Sequence, residues 1–191
     1  MRISIALVAA TLATSLIPGV GVAAAHYKLD PDHTFPSLEF SHMGLSIWRG
    51  KFNRTTGTVN LDLAARTGTV NVQVETDSID FGLDSMHEYA VRSDWLDVAK
   101  FPVMTYTGQI VFEEGKPGAV DGQLTLRGVT RPLRLTMNSF NCIEHPFYKK
   151  EACGADAEGL LNRTDFGMTQ YAEGEAGKVQ LRIQVEALRA D

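Results

Sequence analysis

The chain has 191 residues, 44% of them hydrophobic, with 18 Lys and Arg against 23 Asp and Glu for a net charge of −5. That length suits one domain with a sizeable core, and a net-negative chain without a basic run offers no electrostatic footprint for nucleic acid. After the N-terminal segment, no apolar run approaches the ~20 residues a helix needs to cross a bilayer.

The N-terminal segment reads as a secretory signal peptide over residues 1–24. Met1-Arg2 gives a positive start, Ile3–Ile17 is apolar, Pro18-Gly19 breaks a helix, and Val22–Ala25 supplies small residues for cleavage after Ala24 or Ala25. Its apolar stretch is too short for a membrane anchor. Cleavage removes Arg2 and takes the charge from −5 to −6, because the leader holds no acid. Cys142 and Cys153 are the only cysteines. In an exported chain they predict a disulfide, which stabilises a loop of this size by about 3 kcal/mol in the chain-entropy account.

In chain order, Tyr27-Lys28-Leu29 leads into Asp30-Pro31-Asp32-His33, a turn by composition. Leu38, Phe40 and His42 alternate with polar neighbours as strand one. A long second strand runs from Ile47 to Leu63 and contains Gly50 and Gly57, which mark bulges or bends. Val70, Val72 and Val74 form the inner row of strand three. The rhythm then changes: Met86, Tyr89, Ala90, Val91, Trp95 and Val98 fit helical spacing, predicting one short helix or two helical turns over roughly 85–97, with Asp84 or Ser85 as the cap. Met104, Tyr106, Ile110 and Phe112 share a face of strand four, and 115–118 form a turn.

Gly122–Leu135 is the clearest hairpin. Leu124 and Leu126 alternate with polar residues, Gly128 supplies the turn, and Leu133 and Leu135 resume the alternation, with Pro132 early in the strand or at an edge. The segment 141–154, with both cysteines, is expected to be an irregular loop. Strand seven follows over 155–163, and Val179, Leu181, Ile183, Val185 and Ala187 alternate along strand eight. Eight strands, short turns and no βαβ unit predict an all-β fold: an eight-stranded antiparallel up-and-down barrel with one short helical segment.

Catalytic signatures are missing. There is no phosphate-binding glycine loop, G-x-S-x-G elbow or H-E-x-x-H helix, and the five histidines lack metal spacing. His33 beside Asp30 and Asp32 fits a hydrogen-bonded turn. Asp77, Asp80 and Asp84 lack the spacing of a calcium loop. No catalytic residue, metal ligand or cofactor is assigned. An eight-stranded barrel either fills with side chains or holds one small ligand. Glycines 50, 57, 108 and 122 either open space inside it or only allow curvature.

Several motifs in series resemble the YceI-like family of exported, lipocalin-like barrels. They are Tyr27-Lys28-Leu29-Asp30 with His33; His42 and Gly44; Arg49-Gly50-Lys51-Phe52; Arg92-Ser93 with Trp95-Leu96-Asp97-Val98 and Phe101-Pro102; Gly122–Pro132; and Asn162–Met168. The resemblance spans nearly all of residues 25–191. It implies a periplasmic, non-enzymatic protein whose apolar interior holds a polyisoprenoid or similar long-chain amphiphile, with a quinone as one form. Many relatives carry Arg-Asp-x-His-Leu where this chain has His87-Glu88-Tyr89-Ala90-Val91, so that His and first Arg are lost.

The expected ligand-lining residues are Leu38, Phe40, Val72, Met104, Tyr106, Phe112, Leu124 and Met137 from the alternation, with Trp48 and Phe52 resting partly on the family pattern. Tyr89 and Trp95 face inward from a helical lid over one barrel opening. The alternatives are a hydrolase of envelope lipids or esters, and a filled structural or stress-related barrel. A long-chain lipid is the expected partner. Transient contact with the membrane or with membrane redox proteins, and a homodimer, are left open.

Overall fold

The computed structural model describes residues 24–190; residues 1–23 of the predicted leader lie outside them. The strands are β1 (Ala25–Leu29), β2 (Phe35–His42), β3 (Ser46–Phe52), β4 (Thr55–Asp62), β5 (Thr67–Glu75), β6 (Ile79–Asp80), β7 (Val103–Glu113), β8 (Lys116–Leu126), β9 (Val129–Glu144), β10 (Glu151–Asn162) and β11 (Lys178–Arg189), with one α-helix, α1 (Asp84–Ala90). All pairings are antiparallel, and β1 closes the ring by pairing with β11 as well as with β4.

The eleven segments make eight strands because three of those strands are creased. β1 pairs with the C-terminal end of β11 while β2 pairs with its N-terminal half. In the same way β4 pairs with β1 and β3 with β2, and β5 pairs with β4 while β6 pairs with β3. The three creases are stitched. The Asn53 amide donates to the Ser78 carbonyl at 3.0 Å and the Arg54 amide to Ser78 Oγ at 3.1 Å. Thr34 Oγ1 donates to the Glu186 carbonyl at 3.1 Å. The predicted eight-stranded up-and-down barrel is thus the observed fold.

Turn chemistry explains the short connections. Arg127 (φ 51°) and Gly128 (φ 73°) form a two-residue hairpin loop between β8 and β9, with both residues in the left-handed conformation that matches strand twist. Glu114 and Gly115 do the same between β7 and β8, so Lys116, Pro117 and Gly118 belong to β8 and not to the predicted turn. Pro132 sits before β9 begins to pair with β10 and leaves no ladder bond unmade on that side.

Two sequence expectations are corrected here. The helix is shorter than 85–97: it ends at Ala90, and Val91–Lys100 continue as turns, with Asp97 at φ 50°. Its N-cap is Leu83, without a side-chain cap, and neither Asp84 nor Ser85 fills that role. The cysteine region is not an irregular loop either. β9 runs to Glu144 and β10 starts at Glu151, so Cys142 and Cys153 are directly opposed cross-strand partners joined by a disulfide. Two polar residues between the apolar positions masked that continuation.

Candidate ligand-binding cavity

Inward-facing rows enclose a cavity of about 800 Å³, within the size range of pockets that take small-molecule ligands. Val70, Val72 and Val74 form its β5 wall, and all five alternating residues of β11, from Val179 to Ala187, line it. Leu124 and Leu126 on β8 and Leu133, Leu135 and Met137 on β9 complete the apolar side. Polar groups are few on this surface. Thr34 and Thr55 are almost fully buried, and Tyr106 Oη lies 3.1 and 2.9 Å from the carbonyls of Val120 and Leu133. Burial pushes the Tyr106 hydroxyl far above its ordinary pKa, so it stays neutral.

The cavity is closed at one end and open at the other. At the disulfide end Tyr27, Leu29, Leu61, Cys153 and Ala187 are buried together, and the Tyr27 hydroxyl donates to Glu151. Lining residues there are buried or half-buried. At the helix end the lining includes Met43, 73% exposed, and Tyr171, 67% exposed. The cavity therefore reaches the surface between the β2–β3 turn and the β10–β11 connection.

Leu38, Phe40, Trp48, Phe52, Val72, Tyr89, Trp95, Met104, Tyr106, Leu124 and Met137 all lie on the cavity wall. Phe112 does not. The β7–β8 register shifts between Val111 and Phe112, and the Phe112 ring packs against the buried cluster at the closed end. Of the two roles left open for the glycines, opening space is excluded: none of Gly50, Gly57, Gly108 and Gly122 borders the cavity. A Cβ on Gly122 would lie 2.4 Å from Cζ of Tyr106, so that glycine seats an aromatic ring. A Cβ on Gly108 would lie 2.7 Å from the Asp121 carbonyl oxygen, so it permits close strand approach. The interior space comes from small wall residues such as Ala155 and Ala157.

The helix and the segment after it occupy the open end. Ala90 is buried in the main core cluster, with Val91 and Leu96 packed against it. Arg127 reaches from the β8–β9 turn and donates to the carbonyls of Trp95 and of Ser93, the latter at 3.1 Å. Tyr89 packs edge-on to Trp95, ring centroids 5.6 Å apart.

Sequence reasoning missed Arg163. It is 4% exposed and lines the cavity. Its guanidinium donates to the carbonyls of Ala176 (3.1 Å), Met168 (3.0 Å), Gln170 (2.8 Å) and Tyr171 (2.7 Å), and it lies 4.5 Å from the Trp95 ring centroid. Burial lowers its pKa from the ordinary value, and the charge of Glu173 opposes that shift. The side chain clasps the β10–β11 connection and carries it against the segment beyond α1. The only sequence signal was its place in Asn162–Met168.

Other titratable clusters stand apart from the cavity. Asp30 accepts from the Asp32 amide at 3.0 Å and lies 2.8 Å from His33 Nδ1, the hydrogen-bonded turn expected from composition. Burial alone would raise the Asp30 carboxyl. The hydrogen bonds from His33 and the Asp32 amide outweigh it and lower the pKa, while the bond to Asp30 raises that of His33. Cys142, Glu151 and Cys153 cluster closely, but the two sulfurs are bonded to each other and are not free as metal ligands.

Comparison with known proteins agrees with this architecture. Residues 27–187 match the YceI-like domain. The proteins named Protein YceI from Salmonella arizonae and Salmonella paratyphi B are each 33% identical over 182 residues, covering 94% of this chain and 95% of theirs. Among solved structures, the Campylobacter jejuni YceI protein superposes with a TM-score of 0.65 at 21% identity, covering 80% of this chain and 91% of its own. Burkholderia cenocepacia BcnA gives 0.65 at 18% identity over 83% and 98%. A polyisoprenoid-binding domain from Saccharophagus degradans gives 0.58 at 14% identity over 87% and 99%. With a match from Tyr27 to Ala187 and full-length relatives at one-third identity, the chain belongs to the YceI-like family.

Proposed function

We propose that this protein binds and carries a long-chain amphiphile, such as a polyisoprenoid or an isoprenoid quinone, in the periplasm. The observation that carries this reading is the cavity of about 800 Å³ with an almost wholly apolar wall. The binding activity in the name of the Saccharophagus neighbour supports it. Each buried CH₂ contributes about 0.8 kcal/mol, so a chain of methyl-branched units is held without extensive polar recognition. The predicted leader supports export, and the cross-strand disulfide suits an oxidising compartment. The role is binding and not catalysis. The one histidine–carboxylate ion pair among the described residues, His33–Asp30, lies outside the cavity wall.

The test is native mass spectrometry of protein purified from its own host, followed by extraction and identification of any bound molecule. A co-purifying apolar-chain lipid supports the proposal. Protein that stays empty after incubation with polyprenol and quinone, or that releases hydrolysed product, refutes it.

A further inference from the structure

Exposed large apolar side chains gather at both ends of the barrel. At the closed end the β9–β10 loop carries Phe147 (85% exposed) and Tyr148 (54%). At the open end Met43 (73%) and Leu45 (79%) form the β2–β3 turn, Leu83 (59%) precedes α1, and Tyr171 (67%) stands on the β10–β11 connection. The two groups differ in what they adjoin. Both aromatic rings of the closed-end loop already pack on His145, with centroids 5.8 and 4.6 Å away. Met43 and Tyr171 instead belong to the cavity wall and the outer surface at once.

Those two residues also have left-handed backbone, each at φ 53°. That conformation is uncommon for a large side chain and costs energy. At Met43 the hairpin loop formed with Gly44 (φ 72°) accommodates it, the Leu45 amide donating to the His42 carbonyl at 2.9 Å. At Tyr171 the Arg163 guanidinium holds the carbonyl at 2.7 Å. Both side chains are thus presented outward by defined backbone.

We propose that the rim formed by Met43, Leu45, Leu83 and Tyr171 is a docking surface for the lipid bilayer, set so that the cavity opens directly onto it. This rests on the reading of the cavity as a carrier of long apolar chains. Such a chain resides in a bilayer, and moving it through water exposes every methylene. An apolar rim continuous with the cavity wall provides a path that never wets the cargo. The charges flanking the rim are mixed in sign and form no basic patch: Arg92 and Asp94 lie 3.4 Å apart, Lys178 and Glu175 2.8 Å apart, and the exposed Glu173 stands on the cavity wall. Docking is therefore hydrophobic and not electrostatic. A handful of half-inserted side chains gives weak, reversible binding, with a partition constant on the order of 10³–10⁴ M⁻¹.

The experiment is co-sedimentation of the mature protein with phosphatidylcholine vesicles, for the wild type, the double variant Met43→Glu/Leu45→Glu, and Phe147→Glu at the opposite end. All three positions are exposed, and circular dichroism checks that the fold is kept. The rim variant is expected to bind at least tenfold more weakly. Phe147→Glu is expected to match the wild type, and raising the salt concentration to leave binding unchanged. A wild type that ignores the vesicles overturns the proposal, as does loss of binding in Phe147→Glu but not in the rim variant. So does a rim substitution whose only effect is to dissociate a dimer, because the rim would then belong to a second copy. Cargo found in the wild type by mass spectrometry is a separate readout, so a filled cavity with no vesicle binding rejects the docking surface alone.

Discussion

Replacing Arg163 by Met keeps the length of the side chain and removes its donors. Four carbonyl oxygens lose their partner: those of Met168, Gln170, Tyr171 and Ala176. A hydrogen bond to a charged group contributes about 1.5–3 kcal/mol. Two corrections reduce the sum. Tyr171 is largely exposed, so water can reach carbonyls on that side, and removing a buried guanidinium relieves its desolvation cost. The net loss is about 3–5 kcal/mol, the cost of leaving two or three buried carbonyls without a donor at about 1–3 kcal/mol each, less the relieved desolvation. At 2–4 °C per kcal/mol for a chain of this size, the melting temperature falls by roughly 6–20 °C. Thermal and urea unfolding followed by circular dichroism measure it. Arg163→Lys should fall between, because an ammonium keeps the charge but cannot span four carbonyls in one plane. If Arg163→Met lost less than about 1 kcal/mol, the clasp would be an incidental contact and the account given for the β10–β11 connection would be refuted.

Four further outcomes are expected. Ala157→Phe places a ring in the cavity from the β10 wall and should exclude bound lipid while the fold survives at a cost of about 1–3 kcal/mol, read by native mass spectrometry and urea unfolding; lipid content equal to the wild type would contradict the wall assignment. Gly108→Phe should instead unfold or strongly destabilise the barrel, since its Cβ would meet the β8 backbone. For pH, the His33 contribution is complete below its ordinary 6.5 and is lost as pH rises through the raised value, while that of Asp30 is complete above 3.8 and is lost as pH falls through the lowered one. Stability from this pair is thus flat between those values, and His33→Ala should flatten the decline on the alkaline side in a pH series of unfolding curves. Amide exchange over α1 and Val91–Lys100 should slow when cargo is bound; exchange that ignores cargo would remove the lid role.

The strands were legible wherever one face meets water, because alternation then has a reader on each side. Val179–Ala187 is the clear case: every inward residue inferred from the pattern lines the cavity. What the pattern hid was anything that depends on a partner strand. A register shift at Val111/Phe112 moved one aromatic ring to the closed end without disturbing its local alternation. The stretch around Cys142 looked like a loop because Asn138 and Ser139, two polar residues between Met137 and Phe140, break the alternation ahead of it, and the register shift that absorbs the extra residue shows only in the β9–β10 pairing. Arg163 was invisible for a different reason. Its four acceptors are backbone carbonyls from five to thirteen residues downstream, and no side-chain spacing encodes them. The helix was found by period but lengthened by it, since Trp95 and Val98 continue an apolar rhythm through turns.

The creased strands also decide how this protein behaves beside other copies of itself. An open sheet edge is a template for another chain, and a barrel escapes that hazard only where its ring is complete. Here the creases carry β2, β3 and β6 away from the ring and would leave β6 as an outer edge. That edge is two residues long, Ile79 and Asp80, and α1 packs beside it. His87 Nδ1 lies 2.9 Å from the Ile79 carbonyl, and Asp80 Oδ1 accepts from the Gly82 amide at 2.6 Å. A neighbouring molecule therefore finds almost no free ladder to extend. The mouth can stay open to cargo without exposing the protein to strand-by-strand polymerisation.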